Sequence, residues 1–122
     1  MSRVESPNVP PSLNRVLRMH WANKSRMRAI WEMEFLTMPF AERQRLKDAR
    51  SEQKRVKMLI TLHNARQYDR DNAFGAVKVI VDAAKAAGLI YDDRPAYLDL
   101  EVQQQKCKRA SKRTVIEMEI CE

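Results

Sequence analysis

One segment, residues 56–63, constrains the fold more than any other part of the chain. Its apolar residues fall on alternate positions, and Lys57 and Thr61 occupy the positions between them. The apolar residues that share one face are Val56, Met58, Ile60 and Leu62. This alternation predicts a β-strand with one buried face, which must be covered by another layer of the protein.

The other periodic segments surround this strand with helices and further strands. They are predicted helices at 23–38, 41–54 and 76–87, and predicted strands at 97–105 and 114–121. The last helix is rich in alanine and is expected to stop at Gly88. The basic sequence KCKRASKR between the last two strands is interpreted as a hairpin tip.

This order of elements predicts an α+β fold with a small mixed β-sheet and packed helices. The chain of 122 residues is long enough for one domain, which we expect to span residues 1–122. Prolines at positions 7, 10 and 11 predict an extended loop or edge entry over residues 7–18. Residues 1–11 are expected to form a flexible N-terminal segment.

The charge of the chain points to a polyanionic partner. The formal net charge is +7 and the isoelectric point is about 9.7, which favours nucleic acid over an anionic membrane surface. No apolar run approaches the roughly 20 residues of a membrane span, and the N-terminus lacks the features of a secretory signal. Cys107 and Cys121 form neither a disulfide framework nor a CxxC zinc motif. We therefore expect a cytoplasmic protein that does not enter a membrane.

Two pairs of aspartates stand on either side of the alanine-rich helix. Asp69 and Asp71 follow the strong strand, and Asp92 and Asp93 follow the helix. If the strand, helix and turn return to one edge of the sheet, these carboxylates would form an all-oxygen site for Mg²⁺ or Mn²⁺. Such a site is typical of phosphodiester hydrolysis.

Basic residues surround these aspartates, as a site that holds phosphates requires. They are Arg66, Arg70, Lys78 and Arg94. A structural interpretation stays open beside this one, because a DxD sequence in a loop is often a turn or a helix cap. Asp71 and Asn72 would in that case cap a helix that begins at Ala73.

The same motifs, taken in order along the chain, resemble a known family. The sequence DRDN at 69–72, the lysine and aspartate of KVIVD at 78–82 and the sequence GLIYDD at 88–93 are similar to the RusA family of Holliday junction resolvases. The sequence PPSLNR at 10–15 resembles the N-terminal segment of that family. The resemblance implies a homodimer with two acidic metal sites that makes paired, Mg²⁺-dependent incisions in four-way DNA junctions.

The resemblance also implies roles for individual residues. Asp69, Asp71 and Asp93 would be the catalytic, metal-binding carboxylates, and Asp92 would be an auxiliary metal ligand or a group that supports the ligands. Lys78 would lie near the scissile phosphate. The residues expected to contact DNA, from the family pattern or from their charge, are Asn14, Arg15, Arg66, Arg70, Asn72, Lys108, Arg109, Lys112 and Arg113.

The chain departs from the family pattern in three places, of which the first is the segment before PPSLNR, too rich in proline for a good first strand. About three extra residues, 73–75, separate Asp71 from Lys78. If the helix begins after Gly75, Lys78 keeps its place, whereas a helix that begins at Asn72 moves it roughly 5 Å further from the metals. The segment 21–53 is also longer and more helical than the pattern, so the selectivity for junctions can differ there.

Two other functions fit the sequence. The chain can be a non-catalytic protein that binds branched DNA, in which Lys78 is displaced from the acidic loop. It can also be a basic adaptor for an acidic protein, in which the DxDN sequence is only a helix cap. The basic segment around Lys108 would contact the DNA backbone in the first case and would be a solvated turn in the second.

Overall fold

A four-stranded mixed sheet lies at the centre of the computed structural model, which describes residues 2–121. The strands are β1 (Ser2–Ser6), β2 (Val56–Asn64), β3 (Leu98–Lys106) and β4 (Arg113–Ile120). The helices are α1 (Leu13–Leu17), α2 (Trp21–Phe35), α3 (Phe40–Ser51) and α4 (Arg70–Ala86), with a short 3₁₀ turn at Arg109–Ser111. The predicted α+β class is confirmed. The ends of the predicted domain, Met1 and Glu122, lie outside the described residues.

Strand β2, which was predicted at residues 56–63, occupies the interior of the sheet, whose order is β1-β4-β2-β3. Its apolar face is buried, as predicted, and Met58 and Ile60 have no exposed surface. Trp31 of α2, Leu46 of α3 and Val77 of α4 join it in one hydrophobic core. Helices therefore cover this face, because burial of apolar surface is the main favourable contribution to folding.

Strands β2 and β3 pair in parallel, while β4 pairs with β2 and β1 in antiparallel fashion. A parallel pair needs a long crossover connection, and α4 provides it. The chain therefore leaves β2 at Asn64, runs back along α4 and enters β3 at Leu98, which pairs with Val56 at the opposite end of the sheet. This crossover decides where the aspartates lie.

The predicted hairpin between the last two strands is wrong. Strand β2 lies between β3 and β4, so the last two strands are not neighbours in the sheet. Residues 107–112 instead pass over the end of β2, where the N–H of Cys107 donates to the carbonyl oxygen of Asn64 at 3.1 Å. Basic residues of this connection therefore lie at the end of β2 that leads into the acidic loop.

The expectation of a flexible segment at residues 1–11 is also wrong for its first part. Ser2–Ser6 forms β1, an edge strand that pairs with β4. Val4 is buried in the core, and the guanidinium of Arg45 donates to the hydroxyl of Ser2 at 3.1 Å. The prolines begin at position 7, so they end this strand and do not prevent it.

Helix α4 begins at Arg70, six residues before its predicted start at 76. Its predicted end is confirmed, because Gly88 adopts a φ of 78° and its N–H donates to Lys85. Within the helix, Gly75 lies against Leu13 of α1, where an added Cβ would stand 2.6 Å from the Cβ of Leu13. This close approach explains why a glycine interrupts an alanine-rich helix.

We expect Gly75→Val to destabilise the protein by about 2 kcal/mol, because overpacking against the Leu13 Cβ forces α1 away from α4. Urea unfolding at pH 7 measures this loss. The control is Ala86→Val, which places the same final side chain at an exposed position near the end of α4. Equal free energies of unfolding for the two variants would contradict the contact between α1 and α4.

Candidate functional site

The first acidic pair lies at the start of α4. Asp69 is the N-cap residue and Asp71 is the second residue of the helix. Both side chains are exposed, and Asp69 makes no capping hydrogen bond. Within residues 2–121, neither carboxylate has a hydrogen-bond or ion-pair partner. The positive end of the helix dipole stabilises both charges, and their oxygens are free to bind a cation.

The loop that carries Asp69 is fixed by two polar contacts on Tyr68. The side-chain amide of Gln104 on β3 accepts from the Tyr68 N–H at 2.8 Å and donates to the Tyr68 carbonyl oxygen at 2.9 Å. The Tyr68 hydroxyl donates to the carbonyl oxygen of Pro10 at 2.9 Å, and burial raises the pKa of this phenol. The acidic loop is therefore held between β3 and the PPSLNR segment, at the carboxyl ends of the parallel strands.

These two anchors were not predicted, although one left a signal in the sequence. Gln104 follows Leu98, Leu100 and Val102 on the same face of β3. A polar side chain at the end of an apolar alternation must find a hydrogen-bond partner when it is partly buried. Tyr68 gave no comparable signal, because a tyrosine next to a loop fits many environments.

Basic residues from three parts of the chain lie at this end of the sheet. Arg15 of α1 and Lys112 of the 107–112 connection line one groove of about 310 Å³, together with Asn64 and Tyr68. The other predicted DNA contacts that are exposed are Asn14, Arg66, Arg70, Lys108 and Arg109. The structure therefore brings predicted cations from separate segments to the neighbourhood of Asp69.

Two predicted DNA contacts have other surroundings. Arg113 is the first residue of β4 and its Nε forms an ion pair with Glu5 at 3.2 Å. Asn72 is the third residue of α4 and is half-buried. Neither lines the groove between Arg15 and Lys112.

The second acidic pair is built differently. Asp92 accepts from the backbone N–H of Asp93 at 2.8 Å, from Lys85 Nζ at 3.1 Å and from Arg94 Nε. These contacts, the Asp93 N–H foremost, hold the pKa of Asp92 well below its usual range. Asp92 thus ties the 88–97 loop to the end of α4, while the Asp93 side chain is exposed.

The two acidic pairs lie at opposite ends of α4. This helix has 17 residues, so its ends are separated by roughly 25 Å at 1.5 Å per residue. The expected convergence within one chain is not met, because a parallel crossover returns the chain to the far end of the sheet. Among residues 2–121, no group of three or more His, Cys, Asp or Glu side chains is close enough to hold a metal ion.

The position of Lys78 follows from the early start of α4. Gly75 lies inside the helix, so the alternative in which the helix begins after it is wrong. Lys78 is seven residues after Asp71 on the same helical face, roughly 10 Å further along the axis. Its side chain borders a groove between α1, α2 and α4.

No protein-family model and no curated protein matches this sequence. No helix within residues 2–121 has the length and apolar character needed to cross a membrane. Support for a function therefore comes from the sequence motifs and from the geometry of the acidic loop and the basic residues near it.

We expect the Asp92 ion pairs to make the stability of the protein depend on acid pH. The pKa of Asp92 is lowered by folding, so its contribution is present above the unfolded pKa of about 4 and is lost as the pH falls below it. Asp92→Asn should be less stable than the parent at pH 7 and should approach it at low pH. Urea unfolding from pH 7 to pH 2 measures both trends.

Lys85→Met serves as the partner variant, since it removes one of the donors to Asp92 and leaves the carboxylate in place. It should reproduce part of the loss at pH 7. A constant difference between Asp92→Asn and the parent across the pH range would contradict this account.

Proposed function

We propose that this protein is a cytoplasmic, homodimeric endonuclease of the RusA type that cuts four-way DNA junctions with Mg²⁺ or Mn²⁺. The observation that carries the proposal is the pair of unpartnered carboxylates, Asp69 and Asp71, fixed at the carboxyl end of β2 beside basic residues. Carboxylates that only solubilise a surface need no such surroundings. A nuclease needs them, because it holds phosphates next to its acidic ligands.

One chain supplies only part of a metal site, since Asp93 lies at the far end of α4. Two copies related by a two-fold axis remove this difficulty if their β3 strands pair in antiparallel fashion. The end of one β3 near Gln104 then lies beside the beginning of the other. Because Gln104 holds the acidic loop, Asp93 of the partner subunit would come close to Asp69 and Asp71.

The edge of β3 supports such a pairing. This strand has nine residues and contains no proline, so its free edge offers backbone N–H and C=O groups along its length. Pairing centred on Val102 would oppose Glu101 with Gln103 and Asp99 with Gln105. No like charges then face each other across the two-fold axis, which would otherwise be destabilising.

The residues fit a hard divalent cation, which prefers carboxylate oxygens. Asp69 and Asp71 of one subunit and Asp93 of the partner subunit would hold it. The bound ion would lower the pKa of a water molecule and neutralise charge on the phosphate. Arg15 and Lys112 would bind phosphates on either side of their groove and so orient the backbone for attack. Asp92 keeps its ion pairs and positions the loop that carries Asp93.

A second function is favoured by the position of Lys78. Lys78 lies two helical turns from Asp71, so its charge is displaced from the expected place beside the scissile phosphate. A protein with this change can bind branched DNA and protect it without cutting. Cleavage assays on a junction separate this function from the first.

We expect the parent protein to nick a labelled synthetic four-way junction, but not a linear duplex of the same sequence, when Mg²⁺ or Mn²⁺ is present. Asp71→Asn should abolish cleavage and keep junction binding, because it removes a metal ligand and one negative charge. EDTA is the negative control. Binding without nicks by the parent would favour the non-catalytic function, and neither binding nor nicks would favour the protein adaptor.

Mixing two inactive variants tests the shared site. In a heterodimer of Asp71→Asn and Asp93→Asn, one site receives both lesions and the other receives none, so activity should return as single nicks. A mixture of Asp69→Asn and Asp71→Asn is the matched control, because every site then keeps a lesion. Activity in the control, or none in the first mixture, would contradict a site made by two subunits.

We also expect Arg15→Gln and Lys112→Gln to weaken junction binding and to reduce the slope of log affinity against log salt by about one each. Each cation is expected to neutralise one phosphate. Gel-shift titrations at several salt concentrations measure the slope. The control is Lys47→Gln on α3, which removes an exposed charge outside the groove and should leave the slope unchanged.

A further inference from the structure

A second groove lies between α1, α2 and α4, on the helical layer of the protein. Its volume is about 480 Å³. Its apolar lining includes Leu13, Val16, Leu17 and Val79. It is thus large enough for a flat organic group, and the contact of Gly75 with Leu13 forms part of its floor.

Three cations border this apolar floor. Lys24 and Arg28 come from successive turns of α2, and Lys78 comes from α4 across the groove. All three side chains are exposed, and none has an ion-pair partner among residues 2–121. Asp82 is the one carboxylate of the lining, so the groove carries a net positive charge.

Two exposed aromatic side chains, Trp21 and Phe74, lie on the same helices as the groove lining, within one turn of residues that line it. Trp21 lies one turn before Lys24 and Ser25, and is 72% exposed, with the ring of His20 at 5.4 Å. Phe74 precedes Gly75 on α4 and is 42% exposed. Solvent-exposed aromatic rings beside a positive groove are the combination with which proteins hold single-stranded nucleic acid.

We propose that this groove binds a short single-stranded segment of DNA, with its bases against Trp21 and the apolar floor and its phosphates on Lys24 and Arg28. The inference rests on the proposed function in taking DNA as the ligand. It adds a subsite for unpaired nucleotides, which a continuous duplex does not supply. Lys78, on the face of α4 that also carries Asp71, would connect this subsite to the acidic loop.

Charge and position favour this occupant over a second copy of the chain. The rim is cationic, and a copy with a net charge of +7 would be repelled from it. The groove lies on the α2 side of α4, whereas the proposed dimer uses the β3 edge. The subsite therefore stays open in the dimer.

The probe is a labelled dT12 oligonucleotide, titrated into the full-length protein in EDTA so that no cleavage is needed. Fluorescence anisotropy gives the affinity, and tryptophan emission reports stacking, because Trp21 is exposed while Trp31 is buried. Trp21→Ala should weaken binding at least about fivefold and remove the quenching of emission. The matched control is Phe40→Ala, since Phe40 is 70% exposed and lies outside the groove.

A pair of charge variants provides the second comparison. Lys24→Gln with Arg28→Gln should weaken dT12 binding and lower its salt dependence, while Lys47→Gln with Arg50→Gln on α3 should have a much smaller effect. Equal losses in the two pairs would overturn the subsite and leave only general attraction to a basic protein. Unchanged dT12 affinity of the Trp21→Ala variant would also overturn the subsite, whether or not the oligomeric state of that variant changes.

The two proposals fail separately. If dT12 binds in the groove but junctions are not cut, the nuclease function is wrong and the subsite stands. If junctions are cut but Trp21→Ala and the α2 charge variants bind dT12 like the parent, the subsite is wrong and the nuclease stands.

Discussion

The parallel pairing of β2 with β3 is the constraint on which the rest of this structure depends. It requires a crossover, the crossover is α4, and α4 is long enough to cover the apolar face of both strands. The same helix then separates the segment before it from the segment after it by its whole length. The buried apolar face of β2 and the divided set of aspartates are thus two results of one topology.

Local patterns predicted most of the elements of the fold. The alternation in β2 and the glycine after α4 were read correctly, because they depend on side-chain periodicity and on the conformation of one residue. The pairing of strands was not, since β1 and the order β1-β4-β2-β3 depend on contacts between residues far apart in sequence. The prolines at positions 7, 10 and 11 follow Ser2–Ser6, so they do not affect the conformation of this strand.

The candidate site was predicted in its residue types and not in its arrangement. Asp69, Arg15 and Lys112 belong to separate segments, yet the structure gathers them at one end of the sheet. Asp92 looked like its neighbour Asp93, but the Asp93 N–H, Lys85 and Arg94 all donate to the Asp92 carboxylate, which therefore fastens the loop. Ion pairs between side chains leave no periodic trace in a sequence.

The separation of the two acidic pairs has a consequence for how such a protein behaves in a cell. In the proposed dimer, a lone chain holds an incomplete set of ligands and cannot cut DNA, whatever metal is present. Activity would then rise with the square of protein concentration when dimers are scarce. At low concentration the chains would stay monomeric and inactive. Newly made protein would therefore cut DNA only after enough of it has accumulated to form dimers.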